Sequence, residues 1–159
     1  KPDIIAFGKK SQVCGMLANS RVDEVEQNVF TESSRINSTF GGNLTDMVRF
    51  QMILEIITNE NLLENVGKMG KILLKGLQDL ALEFPAFVTN ARGLGLFAAF
   101  DLPSPTERDK LINKLWENKL MILPSGDLSV RFRPHLNVKE EDLNLALEII
   151  QTSLRSVLN

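Results

Sequence analysis

The stretch "DIIAFGKKSQVCG", Asp3 to Gly15, sets a short apolar run against two adjacent lysines. Asp3 to Phe7 reads as a short buried strand and Val13 to Ala18 as a second. The lysine pair therefore falls where the first strand ends, with Gly8 directly before it. A lysine amine is a nucleophile only when neutral, so a reactive lysine needs a partly desolvated or electropositive place. A strand end facing a cleft in an α/β sheet is such a place. Lys10 either makes the surroundings of Lys9 more electropositive or points to solvent. On spacing alone, a Lys-Lys pair is a solvated loop charge.

Composition narrows the class. The 159 residues are 43% hydrophobic and 24% charged, as in a globular chain with a sizeable core. Their 18 Lys and Arg against 20 Asp and Glu leave a net charge of -2. That balance offers no general attraction to nucleic acid or to an anionic membrane, and neither is expected as a partner. No apolar run approaches about 18 residues, so no transmembrane helix is expected. The single cysteine, Cys14, excludes an internal disulfide framework and suits a reducing compartment, the cytoplasm. The chain opens at Lys1-Pro2 just before a strand, without an initiator Met or a signal-peptide pattern. It is expected to continue a larger protein.

Downstream, "TESSRINSTFGGN", Thr31 to Asn43, has the Ser, Asn and Gly content of a loop. Asn43 predicts the N-cap of a helix to about Asn59, with Leu44, Val48, Met52 and Ile56 on one face. A second helix is predicted from about Leu62 to Phe84, its stripe being Leu62, Val66, Met69, Leu73, Leu77 and Leu80. Gly67, Gly70 and Gly76 weaken its intrinsic propensity, so tertiary packing must hold it. After Pro85, strands are predicted at Phe87–Thr89, Leu94–Leu102, Leu120–Leu123 and Leu128–Phe132. Ser104 to Glu107 forms a capping box with Pro105 at the first helical position, opening a helix to about Asn118. Asn137 with Glu140 predicts the start of a last helix, with Leu143, Ala146, Ile150, Leu154 and Val157 as its stripe. The expected organisation is α/β. Residues 1–43 end one sheet, 44–84 are connecting helices, and 85–159 form a small α/β domain.

Three further stretches carry chemistry. In "INSTFGGN", Ile36 to Asn43, Ser38 and Thr39 supply hydroxyls, and Gly41-Gly42 expose backbone N–H groups before a helix N-terminus. That combination can bind phosphate, although an ordinary helix-capping loop looks the same. "RGLGLFAAFDL", Arg92 to Leu102, reads as strand material. In "LSVRFRPHLN", Arg131 and Arg133 fall on one face of a strand. An arginine facing a cleft can hold a carboxylate through two parallel hydrogen bonds; on a surface it makes a salt bridge. His135, the only histidine, has no ligand partner at metal spacing and reads as structural, so no metal is expected.

Taken in order, these stretches resemble the class III (omega) aminotransferases, which use pyridoxal 5'-phosphate. In that family an Asp, two apolar residues and a small residue precede the lysine that forms the Schiff base. With Gly8 as the small residue, the resemblance implies Lys9 and not Lys10. It further implies that Thr39, thirty positions after Lys9, binds the cofactor phosphate of the other subunit. Ser38 lies beside it, and Asn37 in the same loop approaches the substrate. "RGLGLFAAFDL" is similar to the strand pair opening the family's small domain. Arg131 corresponds to the arginine that binds the substrate α-carboxylate, while Arg133 is structural. The implied fold is aspartate-aminotransferase-like: the end of the large cofactor-binding domain at 1–43, and the C-terminal small domain at 85–159. The resemblance covers essentially the whole chain and is nearest the lysine ε-aminotransferase branch, with the 4-aminobutyrate and ornithine aminotransferases as the enzyme alternative.

The implied reaction moves the ε-amine of L-lysine to 2-oxoglutarate. The family's aspartate under the pyridine nitrogen, its ring-stacking aromatic residue and its first phosphate loop all precede the lysine strand. None lies in these residues. The implied partners are therefore the N-terminal part of the same enzyme and a second subunit in a homodimer, and the 159 residues alone are expected to be inactive. The alternative outside enzymes is an inactive truncated chain or an interaction module.

Overall fold

The computed structural model describes residues 1–36 and 38–158. The chain divides into two compact units, Lys1–Glu60 and Asn61–Asn159. The division falls between the two helices that the sequence groups together as 44–84.

In the first unit, β1 (Ile4–Phe7) and β2 (Gly15–Ala18) pair antiparallel, with Phe7 opposite Gly15. Asp3 secures the open end. Its carboxylate accepts from Asn19 Nδ2 and Arg21 Nη1, each at 2.9 Å. A loop follows, pinned by buried Asn28, whose amide donates to the Val22 and Val25 carbonyls and accepts from the Phe30 N–H. Then comes α1 (Leu44–Asn59), where the Asn43 side chain accepts from the Thr45 N–H as expected of the N-cap. The Phe7 ring stacks on Phe50 of α1, centroids 5.0 Å apart.

The buried character expected of the first strand is not found within this chain. Ile4 and Ile5 are 48% and 47% exposed, and Leu44, Val48, Met52 and Ile56 of α1 are all exposed. An apolar pattern states what a strand or helix face is able to bury, and whether a layer covers it is a separate matter of tertiary structure.

The second unit has its own core. An antiparallel sheet in the order β3-β4-β6-β5 is built from Thr89–Leu94, Phe97–Asp101, Ser129–Phe132 and Leu123–Ser125. The helices α2 (Leu62–Glu83), α3 (Pro105–Glu117) and α4 (Glu140–Leu158) complete the unit. Leu73 and Leu77 of α2, Leu111 and Leu115 of α3 and Ile150 and Leu154 of α4 share one buried cluster with Phe100 and Val130 of the sheet. Truncating any of these leucines to alanine costs about 2–5 kcal/mol. Alternation follows the pleat: Ala98, Phe100, Val130 and Phe132 are buried, while Phe97, Ala99, Asp101, Ser129 and Arg131 lie on the more open face.

Several boundaries differ from expectation. The run Leu94–Leu102 is broken by a hairpin turn at Gly95, where φ is +56°. The expected strand Phe87–Thr89 begins only at Thr89, because Phe87 and Val88 donate their N–H groups to the Phe84 carbonyl in a turn closing α2. Ser104 caps α3 through the Glu107 N–H. Asn137 does not cap α4; its side chain meets His135 Nδ1 at 2.8 Å, and the Asp142 carboxylate instead accepts from the Lys139 N–H.

Candidate functional site

The expected lysine sits in a tight turn joining β1 to β2. Gly8 is extended at φ 174°, and a Cβ there would come 3.0 Å from Cys14 Sγ. A Cβ on Gly15 would reach within 2.2 Å of the Phe7 ring, so glycine at 15 leaves the room in which Phe7 lies. Lys9 is left-handed at φ 57°, and its carbonyl accepts from the N–H of Gln12, itself left-handed at φ 61°. For a non-glycine residue that conformation costs about 1–2 kcal/mol. Such strain gathers at functional positions. The Lys9 side chain is exposed.

Ser38 and Thr39 are exposed on the loop before α1, and no hydrogen bond among the described residues engages either hydroxyl. The loop closes through the Gly41 N–H to the Ser38 carbonyl at 3.0 Å. A Cβ on Gly41 would press against Ser38 at 3.3 Å, and Gly42 is left-handed at φ +75°. The glycines thus shape the turn that presents the hydroxyls at a helix N-terminus. Asn37 lies outside the described residues.

Arg131 is half-buried on the open sheet face, flanked in register by Ala99 and Leu123. Among the described residues no carboxylate pairs with it. Arg133 differs: it is exposed, with its guanidinium 5.8 Å from the Phe97 ring centroid. Of the two arginines, one is engaged on an aromatic ring and the other retains its planar donors.

A cluster that the sequence reading missed lies beside Arg131. Asp101 accepts from Arg92 Nη1 at 2.9 Å, from Asn90 Nδ2 at 2.6 Å and from the Ser129 hydroxyl. Arg92 Nη2 donates to Ser129 Oγ at 2.9 Å. Burial raises the Asp101 carboxyl, but the hydrogen bonds from Ser129, Asn90 and Arg92 and the Arg92 charge outweigh it and hold the group below the ordinary aspartate range. Simple alternation hides this cluster. Thr89 pairs with Asp101 and Arg92 with Ala99, so β3 carries one extra residue, and Asn90 sits left-handed at φ 51° in the resulting bulge. Without it Arg92 would point into the core.

Comparison with known proteins shows the family. The aminotransferase class-III family model matches residues 1–154. The L-lysine-epsilon aminotransferase of Mycobacterium tuberculosis is 51% identical over 153 residues, covering 96% of this chain and 34% of that protein. That of Amycolatopsis lactamdurans is 48% identical over 157 residues, 98% of this chain and 35% of the relative. The mitochondrial 4-aminobutyrate aminotransferase of Sus scrofa is 34% identical over 152 residues, 96% of this chain and 29% of the relative. The chain thus spans about a third of the length of the curated relatives it matches. Among solved structures, a lysine aminotransferase from M. tuberculosis superposes with a TM-score of 0.94 at 50% identity, over 99% of this chain and 36% of that one. An ornithine aminotransferase from Plasmodium yoelii gives 0.84 at 28% identity, over 99% and 42%. The fold is that of part of the aspartate-aminotransferase-like pyridoxal-phosphate enzymes. From the lysine turn to the arginine strand, this chain belongs to the class-III aminotransferase family.

Proposed function

We propose that the chain is part of an L-lysine 6-transaminase, moving the ε-amine of lysine to 2-oxoglutarate. The observation that carries this reading is the 46–51% identity to L-lysine-epsilon aminotransferases over nearly the whole chain. Identity to the porcine 4-aminobutyrate enzyme is 34%; 4-aminobutyrate and ornithine are the runner-up amino donors.

The residues present fit pyridoxal phosphate. Lys9 offers an exposed amine at a strained turn, and Ser38 and Thr39 offer hydroxyls that no described residue engages, before a helix N-terminus. Lys9 would hold the cofactor covalently, and Ser38 and Thr39 its phosphate, with Thr39 serving the other subunit of a homodimer. When bound, the cofactor supplies an electron sink for the carbon that carries the transferred amine. Once the substrate amine has displaced it from the cofactor, the freed Nζ of Lys9 would take the proton from that substrate carbon as general base and deliver it to the cofactor side as general acid. Arg131 orients a substrate carboxylate by two parallel hydrogen bonds. In 2-oxoglutarate that carboxylate adjoins the reacting carbon, so the contact aligns the reaction directly. Asn37 approaches the substrate from the same loop as Thr39.

The exposed apolar faces of β1, β2 and α1 support a partner for the first unit. We assign it to the N-terminal part of the same enzyme, in keeping with the third of the relatives' length spanned here. Among the described residues no helix is long and apolar enough to cross a membrane. The exposed free Cys14 suits a reducing cytoplasm.

The test is borohydride reduction of the cofactor-loaded protein, then proteolysis and mass spectrometry. The adduct is expected on Lys9 and is lost in Lys9→Ala but kept in Lys10→Ala. An adduct on Lys10 shifts the register by one. No adduct and no colour with added cofactor, in the presence of the N-terminal part, favours a non-catalytic module. Turnover of lysine but not 4-aminobutyrate or ornithine separates the amino donors.

A further inference from the structure

The open face of the C-terminal sheet places an acid next to an arginine that it does not touch. The register sets Ala99 opposite Arg131 and Asp101 opposite Ser129, so Asp101 is the diagonal neighbour of Arg131 on the same face. Diagonal neighbours in antiparallel strands stand about 7–8 Å apart, within reach of long side chains. An Asp–Arg pair across that diagonal would be ordinary chemistry. Asp101 is engaged elsewhere: Oδ1 accepts from Arg92 at 2.9 Å and from Ser129, and Oδ2 from Asn90 at 2.6 Å.

The geometry points to a positioning clamp in which Asn90, Arg92 and Ser129 hold Asp101 away from Arg131, leaving the Arg131 guanidinium free for the substrate carboxylate. The bulge at Asn90 is the device that builds it. The extra residue in β3 brings Arg92 onto the face of Asp101 and supplies the Asn90 amide as well. Arg92 also donates to the Asn90 carbonyl at 2.9 Å, which braces the guanidinium against the bulge. Release of Asp101 would convert an open arginine into an internally paired one, and apparent substrate affinity falls by the fraction of molecules so paired. This inference rests on the carboxylate role given to Arg131 above.

The experiment uses the assembled holoenzyme. Arg92→Met is expected to raise the KM for 2-oxoglutarate about three- to tenfold, the scale of a partly exposed ion pair in competition, with kcat within about twofold. Adding Asp101→Asn to Arg92→Met is expected to bring KM back to within about twofold of the parent. Arg92→Lys, which keeps a cation for Asp101, is expected to rise less than Arg92→Met. A crystal structure of Arg92→Met should show Asp101 within about 4 Å of Arg131. If Arg92→Met leaves KM unchanged, or the double variant is no better than the single, the clamp is refuted and the cluster is merely structural. Arg131→Lys separates the two readings. If that variant keeps the parent's specificity constant for 2-oxoglutarate, the carboxylate role of Arg131 is itself wrong.

Discussion

Two glycines three residues apart on α2 should respond to alanine in opposite directions. A Cβ on Gly70 would lie 2.5 Å from the Gly95 carbonyl carbon and oxygen and 2.6 Å from its Cα. Carbon atoms in contact prefer about 3.5–4.0 Å, so helix and hairpin would have to part by about 1 Å. The obstacle is backbone, which cannot rotate aside, and Gly95 is held left-handed with Val66 Cγ1 only 2.7 Å from where its own Cβ would be. Such overpacking costs about 1–3 kcal/mol, against about 1 kcal/mol gained from helix propensity, for a net loss of up to about 2 kcal/mol in Gly70→Ala. Around Gly67, apart from its chain neighbours and the nearby backbone of α2 itself, no described atom lies within 4 Å of the added Cβ. Gly67→Ala should therefore stabilise by about 0.5–1 kcal/mol, from backbone entropy and propensity alone.

Urea unfolding of the whole chain, followed by far-ultraviolet circular dichroism, reads both effects. The midpoint should fall for Gly70→Ala and rise for Gly67→Ala at constant slope. Each kcal/mol corresponds to about 4–8 °C in melting temperature for a unit of this size. If the two variants move the same way, or Gly70→Ala is at least as stable as the parent, the Gly70–Gly95 contact does not govern how α2 seats on the sheet.

Arg131→Lys should lower the specificity constant for 2-oxoglutarate roughly thirty- to a thousandfold, about 2–4 kcal/mol, because an ammonium cannot hold two carboxylate oxygens in one plane. Arg133→Lys keeps a cation near Phe97 and should change it little; stopped-flow single turnovers on both variants decide, and the reverse order would move the assignment two positions along the strand. Thr39→Val removes one hydroxyl bond to a charged acceptor, about 1.5–3 kcal/mol, so cofactor retention measured by equilibrium dialysis should weaken about tenfold or more. Sedimentation should find the active enzyme at least dimeric, and a fully active monomer would contradict the role of Thr39 across subunits.

The helices were legible because their signals are local. Asn43 and Ser104 accept from the N–H groups that their spacing predicted, and the Leu73–Leu77–Leu80 stripe is buried. The lysine turn, the hydroxyl loop and the arginine strand stand out as contiguous strings, which is what made the family legible. Where a position depends on a neighbour distant in sequence, that information is missing. Local signals also compete with one another: Asn137 offered a plausible cap, but His135 two positions away took its side chain, and Asp142 accepted from the Lys139 N–H instead.

By itself, then, the sequence determined the buried stripe of α2, the caps at Asn43 and Ser104, and the family membership that follows from its strings. Only the tertiary structure decided that Gly70 is pressed against backbone while Gly67 is free. It also decided that Arg133 lies over Phe97 while Arg131 stays open, and that a bulge turns Arg92 onto Asp101. The physical reason is range. Capping and amphipathic periodicity act within a few residues and are written in consecutive letters. Steric contact, cross-strand pairing and the choice of an ion-pair partner are set by atoms that folding alone brings together, here across 37 positions between Arg92 and Ser129 and 72 between Glu83 and Arg155.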